Sequence, residues 1–357
     1  MTEVAFAIAG RRIGPGEPVY VIAELSANHG QQLDRARELV RMAADAGADA
    51  IKLQTYTPDT ITLVSDKPWF RIQSGSLWDG RTLYDLYGEA FTPWEWHAEL
   101  KALAESLGMA LFTSPFDGTA VEFLESIDVP AYKIASFELV DLPLIRRVAA
   151  TGKPMILSTG MATRDEIDEA VQTAREAGAR QLALLKCTSA YPAPPEEANL
   201  RTIPELAEAF GCVAGLSDHT LGTGVPIAAV ALGASIVEKH VTMRREDGGP
   251  DGAFSLEPAE LREMIAAIRF TEAALGEVAF GPTSRETGSR QFRRSLFVVA
   301  DVGEGEVFTA ANVRSIRPSN GLHTRHLDEV LGRRATRAIE RGTPLDWDLV
   351  GLPEADG

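Results

Sequence analysis

Short apolar runs recur along the first 240 residues, and helical patterns lie between them. The runs are VYVIAEL (19–25), AIKLQ (50–54), MALFTS (109–114), AYKIAS (131–136), PMILST (154–159), LALLKCTS (182–189), CVAGLSD (212–218) and ASIVEKH (234–240). Compact runs of this kind, rich in Val, Ile and Leu, predict strands buried on both faces. LDRARELVRMAADAGA, RDEIDEAVQTAREAGA and VPIAAVALGA carry instead the 3.6-residue period of amphipathic helices. Eight strand signals, each followed by a helix signal, predict a parallel sheet. Eight is also the number that closes a (β/α)8 TIM barrel, a fold of about 250 residues. A doubly wound open sheet is the alternative. It would need fewer strands and a nucleotide-binding glycine fingerprint, of which LGTGVP (221–226) is a poor version.

Two segments break the rhythm. Residues 55–92 follow the second strand and are rich in aromatic and polar residues, as expected of a binding loop or of a surface excursion with its own small core. After the last helical stretch, PAELREMIAAIRFTEAALG, comes EVAFGPTSRETGSRQF, which has no periodicity and reads as a linker. Short strands (SLFVVA, VRSIRP) and a short helix (HLDEVLG) then predict a second, small domain. The expected organisation is a barrel over residues 1–280, a linker over 281–292 and a small domain over 293–357.

Composition narrows the function classes. A net charge of −16 argues against a nucleic-acid partner, whose phosphates need a basic surface. From residue 283 onward eleven arginines balance eleven acidic residues, so the first 282 residues carry the whole charge. An anionic ligand of the large domain therefore needs locally placed cations. The two cysteines, Cys187 and Cys212, form no disulfide framework and suit a reducing compartment. No stretch reaches the roughly 18 apolar residues of a membrane span, and residues 1–18 lack the apolar run of a signal peptide. A cytoplasmic protein with no membrane partner is expected.

In a parallel barrel the chemistry gathers at the carboxyl ends of the strands. Here those ends present Glu24; Lys52 and Gln54; Thr113 and Ser114; Lys133 and Ser136; Ser158 and Thr159; Lys186, Thr188 and Ser189; Ser217, Asp218 and His219; Glu238, Lys239 and His240. Alternation puts Lys52 with Gln54 on one face and Glu238 with His240 on another, so Lys239 points outward. Lys52, Lys133 and the serines would suit a phosphate plus a carboxylate, or the lysines would simply form salt bridges. His219 and His240 close adjacent strands. They read either as two ligands of an open divalent metal site or as two hydrogen-bonded structural histidines, since the spacing is no zinc signature. Trp94, Trp96 and His97 read as helix packing, and Cys187 as a buried structural residue with no identifiable partner histidine. Asp251, in the loop after the eighth strand, is a candidate substrate contact.

IAELSANHG, IKLQTY, YKIAS, ILSTGMA, LLKCTSAYPAP, GLSDHTLG and EKHVTMRREDGGPD, in this order, resemble the sialic acid synthase family. The resemblance runs from about residue 18 to 350, and RRSLFVVADVGEGEVFTAANVRSIRP resembles that family's C-terminal antifreeze-like (SAF) domain. ELSANH, TPDTITL, LWDGRTLYDLYGEAFTPWEWH and SPFDGTAVEFLE are most similar to the pseudaminic acid branch, rather than the neuraminate or legionaminate branches.

The resemblance implies condensation of phosphoenolpyruvate with an amino sugar, for this branch 2,4-diacetamido-2,4,6-trideoxy-L-altrose, with release of phosphate. It implies a divalent metal on His219 and His240, Mn²⁺ foremost, with Mg²⁺ or Co²⁺ as alternatives. Residues at Lys52, Ser114, Lys133, Ser136, Ser158, Ser189 and Ser217 would hold phosphoenolpyruvate. Those at Glu24, Gln54, Tyr191, Glu238 and Asp251 would face the sugar, with Glu24 and Glu238 available to move protons. A domain-swapped homodimer would bring Arg317 to the partner's sugar site. Neuraminate synthases carry Asn where Ser189 stands, and the 55–92 loop has no certain counterpart of their sugar-binding Asn. The competing readings are a Schiff-base aldolase on Lys133 or Lys186 and a carbohydrate- or ice-binding protein built around the tail.

Overall fold

The structure, a computed structural model, describes residues 6–73, 75 and 77–352. It divides into two compact units, Met1–Gly276 and Glu277–Gly357. The first opens with a hairpin, β1 (Phe6–Ile8) and β2 (Arg11–Ile13), which turns at Ala9 and Gly10, both at positive φ. Three-residue strands are too short to show in a periodicity reading, and the hairpin is an addition to the expected fold. Phe6, Ile8 and Ile13 pack with Tyr20, Ala50, Ala110 and Ile236, all inward residues at or near strand starts. The hairpin therefore plugs the amino-terminal end of the barrel, and burying Phe6 alone contributes about 2 kcal/mol.

Eight parallel strands follow: β3 (Tyr20–Glu24), β4 (Ala50–Thr55), β5 (Ala110–Pro115), β6 (Tyr132–Ile134), β7 (Met155–Ser158), β8 (Leu182–Cys187), β9 (Val213–Asp218) and β10 (Ile236–His240). They pair in sequence order, and β10 pairs back onto β3 with Ile236 opposite Tyr20 and His240 opposite Glu24, which closes the barrel. All eight apolar runs of the sequence thus become strands of one closed sheet.

Outward residues such as Val21, Ile51, Leu53, Leu111, Leu157, Leu184 and Val237 pack against the helices in two apolar clusters. The helix Leu33–Ala46 buries Ala36, Leu39, Val40 and Ala43, the i, i+3, i+4, i+7 stripe its sequence predicts, and ends at Gly47 in the left-handed region. Arg164–Glu176 starts at a Thr163–Glu166 capping box, and Pro258–Leu275 starts with Pro258 at its first position. Gly215 is demanded by the barrel interior: a Cβ there would sit 2.3 Å from the Ile236 carbonyl oxygen and 2.8 Å from the Leu185 side chain.

The 55–92 segment carries two short helices, Pro58–Ile61 and Leu83–Ala90. Among the described residues, no helix is long and apolar enough to cross a membrane. The second unit is built around antiparallel β11 (Ser295–Val298) and β12 (Val313–Ile316). Its own core includes Leu296, Val298, Val302, Phe308, Val313, Val330 and Leu345. The helix read from HLDEVLG is one turn, Leu327–Val330.

Candidate active site

Alternation along the strands turns one set of polar residues into the barrel at its carboxyl end and a second set away from it. Lys239 belongs to the second set: its buried ammonium bonds the Asp218 carboxylate and the Thr220 carbonyl behind the sheet. Lys186 also faces outward, donating to the Cys187 carbonyl at 2.7 Å and to Thr188 Oγ1 at 3.3 Å.

Inside the barrel, Lys52 Nζ lies 2.6 Å from Glu24 Oε2 and 3.5 Å from Glu238 Oε1. Lys133 Nζ lies 3.7 Å from Glu238 Oε1 and donates to Ser158 Oγ at 2.6 Å. Ser217 Oγ donates to Glu238 Oε1 at 3.0 Å, and Lys52 Nζ to Ser114 Oγ at 3.4 Å. Two ammonium groups and two carboxylates are thereby held in one buried layer, which is acceptable only because each charge has partners. Burial would raise Glu238, but Lys133 and Lys52 outweigh it and hold this carboxyl below its ordinary range. For Glu24 burial wins over Lys52, and its carboxyl is pushed up. Lys133 is pulled down by burial, whereas Lys52 is held above the usual lysine range by Glu238 and Glu24 despite burial. Two carboxyls pushed apart in this way suit complementary proton-transfer roles.

Beside this layer, Ser136 Oγ accepts from the Gly160 N–H at 3.2 Å. A Cβ on Gly160 would stand 2.3 Å from Ser189 Oγ and 2.6 Å from Ser136 Oγ, so the glycine brings both hydroxyls against the backbone. With Ser114, Ser158, Lys52 and Lys133 they form a donor-rich cradle for an anion.

His219 and His240 face each other with ring centroids 5.2 Å apart. His219 Nδ1 lies 2.9 Å from the Thr188 carbonyl, which can only accept, so the neutral ring leaves Nε2 bare. His240 Nδ1 is buried without a hydrogen-bond partner, and burial drives this imidazole far below its ordinary pKa. A bare nitrogen on one ring and an orphaned nitrogen on the other fit a divalent ion completed by water and substrate oxygens. Among the described residues no third His, Cys, Asp or Glu completes a cluster with them. Tyr191 packs at a tilt, its ring centroid 4.5 Å from that of His219 and 5.2 Å from that of Phe254, and Phe254 lies 5.0 Å from His240. Trp78, from the 55–92 segment, covers Tyr191 at 5.4 Å and donates its indole N–H to the Pro250 carbonyl at 3.0 Å.

Next to the histidines, Asp251 Oδ2 lies 4.0 Å from His240 Nδ1, and the same carboxylate oxygen accepts from the Ser26 hydroxyl. Gln54 Nε2 donates to Ser26 Oγ at 3.0 Å and to Glu24 Oε1 at 3.4 Å. Burial raises the Asp251 carboxyl, opposed by hydrogen bonds from Ser26 and from the Ala27 backbone. Arg317 belongs to the second unit. There it lines a shallow groove of about 630 Å³ with Arg293, Arg294, Phe292, Ser315 and Thr324.

Several site residues escape a reading of the strand ends. Cys187 does have a partner histidine, a correction to the expectation above. His219 Nδ1 is 3.8 Å from its sulfur and, against burial, brings the thiol down to about 7. Their 32-residue separation hides a contact that only the β8–β9 pairing creates. Glu138 stands two residues past Ser136, with one buried carboxylate oxygen unpartnered and its pKa pushed to about 7 by burial. An acid inside the apolar SFELV was its only signal. Ser26, Trp78 and Phe254 come from loops, where periodicity says nothing. Trp94 and His97 do pack, against Phe123 at 4.8 and 5.4 Å.

Residues 39–279 match the NeuB family, and residues 293–351 match the SAF domain. The chain is 46% identical over 334 residues to a pseudaminic acid synthase of Helicobacter pylori, covering 93% of this chain and 98% of that one. It is 35% identical over 321 residues to the N,N'-diacetyllegionaminic acid synthase of Campylobacter jejuni, covering 89% and 96%. Among solved structures, the spore coat polysaccharide biosynthesis protein SpsE of Bacillus subtilis superposes with a TM-score of 0.66 at 36% identity, covering 98% of this chain and 100% of that one. The fold, the two matched segments and these identities agree: the chain belongs to the NeuB family.

Proposed function

We propose that the protein is a pseudaminic acid synthase, a cytoplasmic transferase that condenses phosphoenolpyruvate with 2,4-diacetamido-2,4,6-trideoxy-L-altrose. The observation that carries the sugar assignment is the 46% identity to an enzyme of that name, well above the 35% to a legionaminic acid synthase. In this reading Lys52, Lys133, Ser114, Ser136, Ser158, Ser189 and Ser217 bind the carboxylate and phosphate of phosphoenolpyruvate, offsetting its charge inside an acidic protein. Gln54, Tyr191 and Asp251 orient the amino sugar. His219 and His240 hold a divalent ion, Mn²⁺ foremost, whose chemistry when bound is to polarise the sugar aldehyde.

C3 of phosphoenolpyruvate forms the new bond to the aldehyde carbon, and water adds at C2. The C2–O bond then breaks, phosphate leaves, and a keto acid remains. Glu238, held ionised, is suited to accept a proton from that water, and Glu24, pushed up, to give one to the aldehyde oxygen. In the proposed homodimer, Arg317 of one chain serves the sugar site of the other.

The test is phosphate release from phosphoenolpyruvate with a panel of amino sugars in the presence of Mn²⁺. Turnover with the diacetamido-trideoxy-altrose is expected. Turnover with N-acetylmannosamine alone, or with the legionaminate precursor alone, would assign the chain to another branch of the same chemistry. Borohydride trapping of a pyruvate or sugar adduct would favour the Schiff-base alternative.

A further inference from the structure

Ser26 is a buried serine at φ +42°, in the left-handed region where a side chain is strained. Such strain persists when the surroundings over-determine it, and it clusters at functional sites. Glycine would occupy this φ freely, so what serine adds is its hydroxyl. That hydroxyl donates to Asp251 and accepts from Gln54 Nε2 at 3.0 Å, while the Ser26 N–H donates to Glu24 Oε1 at 3.0 Å. Two residues on, Asn28 Nδ2 donates at 2.8 Å to both the Val241 carbonyl and Ser255 Oγ, and Ser255 Oγ donates to the Asp251 carbonyl at 2.6 Å. One strained turn after β3 therefore ties the loop after β10 to the end of β4.

We propose that Ser26 is a positioning residue of the sugar subsite, fixing Asp251 and Gln54 in the one arrangement that recognises a hydrogen-bond donor of the amino sugar. This rests on the reading of Gln54 and Asp251 as sugar-facing. The orientation follows from proton counting. Serine has a single proton, and Asp251 takes it, so Gln54 must offer its NH₂ to Ser26 Oγ. Gln54 Oε1 is then the atom turned to substrate, and it selects an acetamido N–H or a hydroxyl.

The test compares Ser26→Gly, which removes the hydroxyl and the strain, with Ser26→Ala, which removes the hydroxyl alone. In both, KM for whichever amino sugar the wild type accepts is expected to rise about tenfold or more. KM for phosphoenolpyruvate should stay within about twofold, and Tm of Ser26→Gly within about 3 °C of the wild type. Hydrogen exchange of residues 248–256 should quicken in both variants. If the wild type turns over no amino sugar, the functional reading fails and the exchange measurement alone decides the role of Ser26. An unchanged sugar KM, an equal rise in both KM values, or, without turnover, unchanged exchange would overturn the proposal.

Discussion

Acid should loosen this barrel through two histidines that lie outside the proposed site. His97 and His29 are fully buried, and burial pushes each pKa down to about 4. His97 Nδ1 donates to the Pro93 carbonyl at 3.3 Å, so Nε2, 2.8 Å from Thr55 Oγ1, accepts from that hydroxyl; Thr55 in turn meets Thr113 Oγ1 at 2.7 Å. His29 Nδ1 accepts from the Gln31 N–H at 3.1 Å, and Nε2 meets Thr92 Oγ1 at 3.1 Å. Protonating His29 would set N–H against N–H. In the unfolded chain each ring titrates near 6.5, so between the two values the unfolded state binds more protons. Stability is therefore complete above about pH 6.5 and is lost as pH falls towards 4. From pH 7 to 5 each histidine costs about 2 kcal/mol, together about 4 kcal/mol of a total that is commonly 5–15 kcal/mol.

The raised carboxyls Glu24, Asp251 and Glu138 act in the opposite sense, their contribution falling as pH rises. A difference measurement isolates the histidine. Urea unfolding of wild type and His97→Gln, followed by circular dichroism at pH 7 and pH 5, should show the wild type losing about 2 kcal/mol more than the variant. A stability difference that is the same at both pH values would refute the reasoning.

Two further outcomes follow from close contacts. Gly160→Ala should raise KM for phosphoenolpyruvate about tenfold, because the new methyl would displace the Ser136 and Ser189 hydroxyls and stand 3.0 Å from the Ser136 Cβ, which moves only with its backbone; steady-state kinetics check it. Lys239→Met should cost about 3–5 kcal/mol by leaving the buried Asp218 carboxylate unpaired, and Lys239→Met with Asp218→Leu should recover much of that loss in urea unfolding.

Strand periodicity made the barrel legible: each apolar run became a strand, and period-two alternation in the sequence alone separates Glu238 and His240 from Lys239. The same rule made Lys52 and Gln54 neighbours. What it could not reach were contacts made by loops and by pairing across the barrel. Ser26 meets Asp251 across 225 residues, and Cys187 meets His219 only because β8 lies beside β9. The β1–β2 hairpin was hidden for a different reason, since two three-residue strands fall below any periodic window.

That hairpin makes the barrel a blind-ended cup. Phe6, Ile8 and Ile13 seal the floor, so both substrates, the water and the departing phosphate share a single doorway. Depth then becomes sequence in time. If the proposed site assignments hold, a ligand seated on the lysine layer would have to arrive before one resting against Asp251 and Tyr191, because the second would stand in the path of the first.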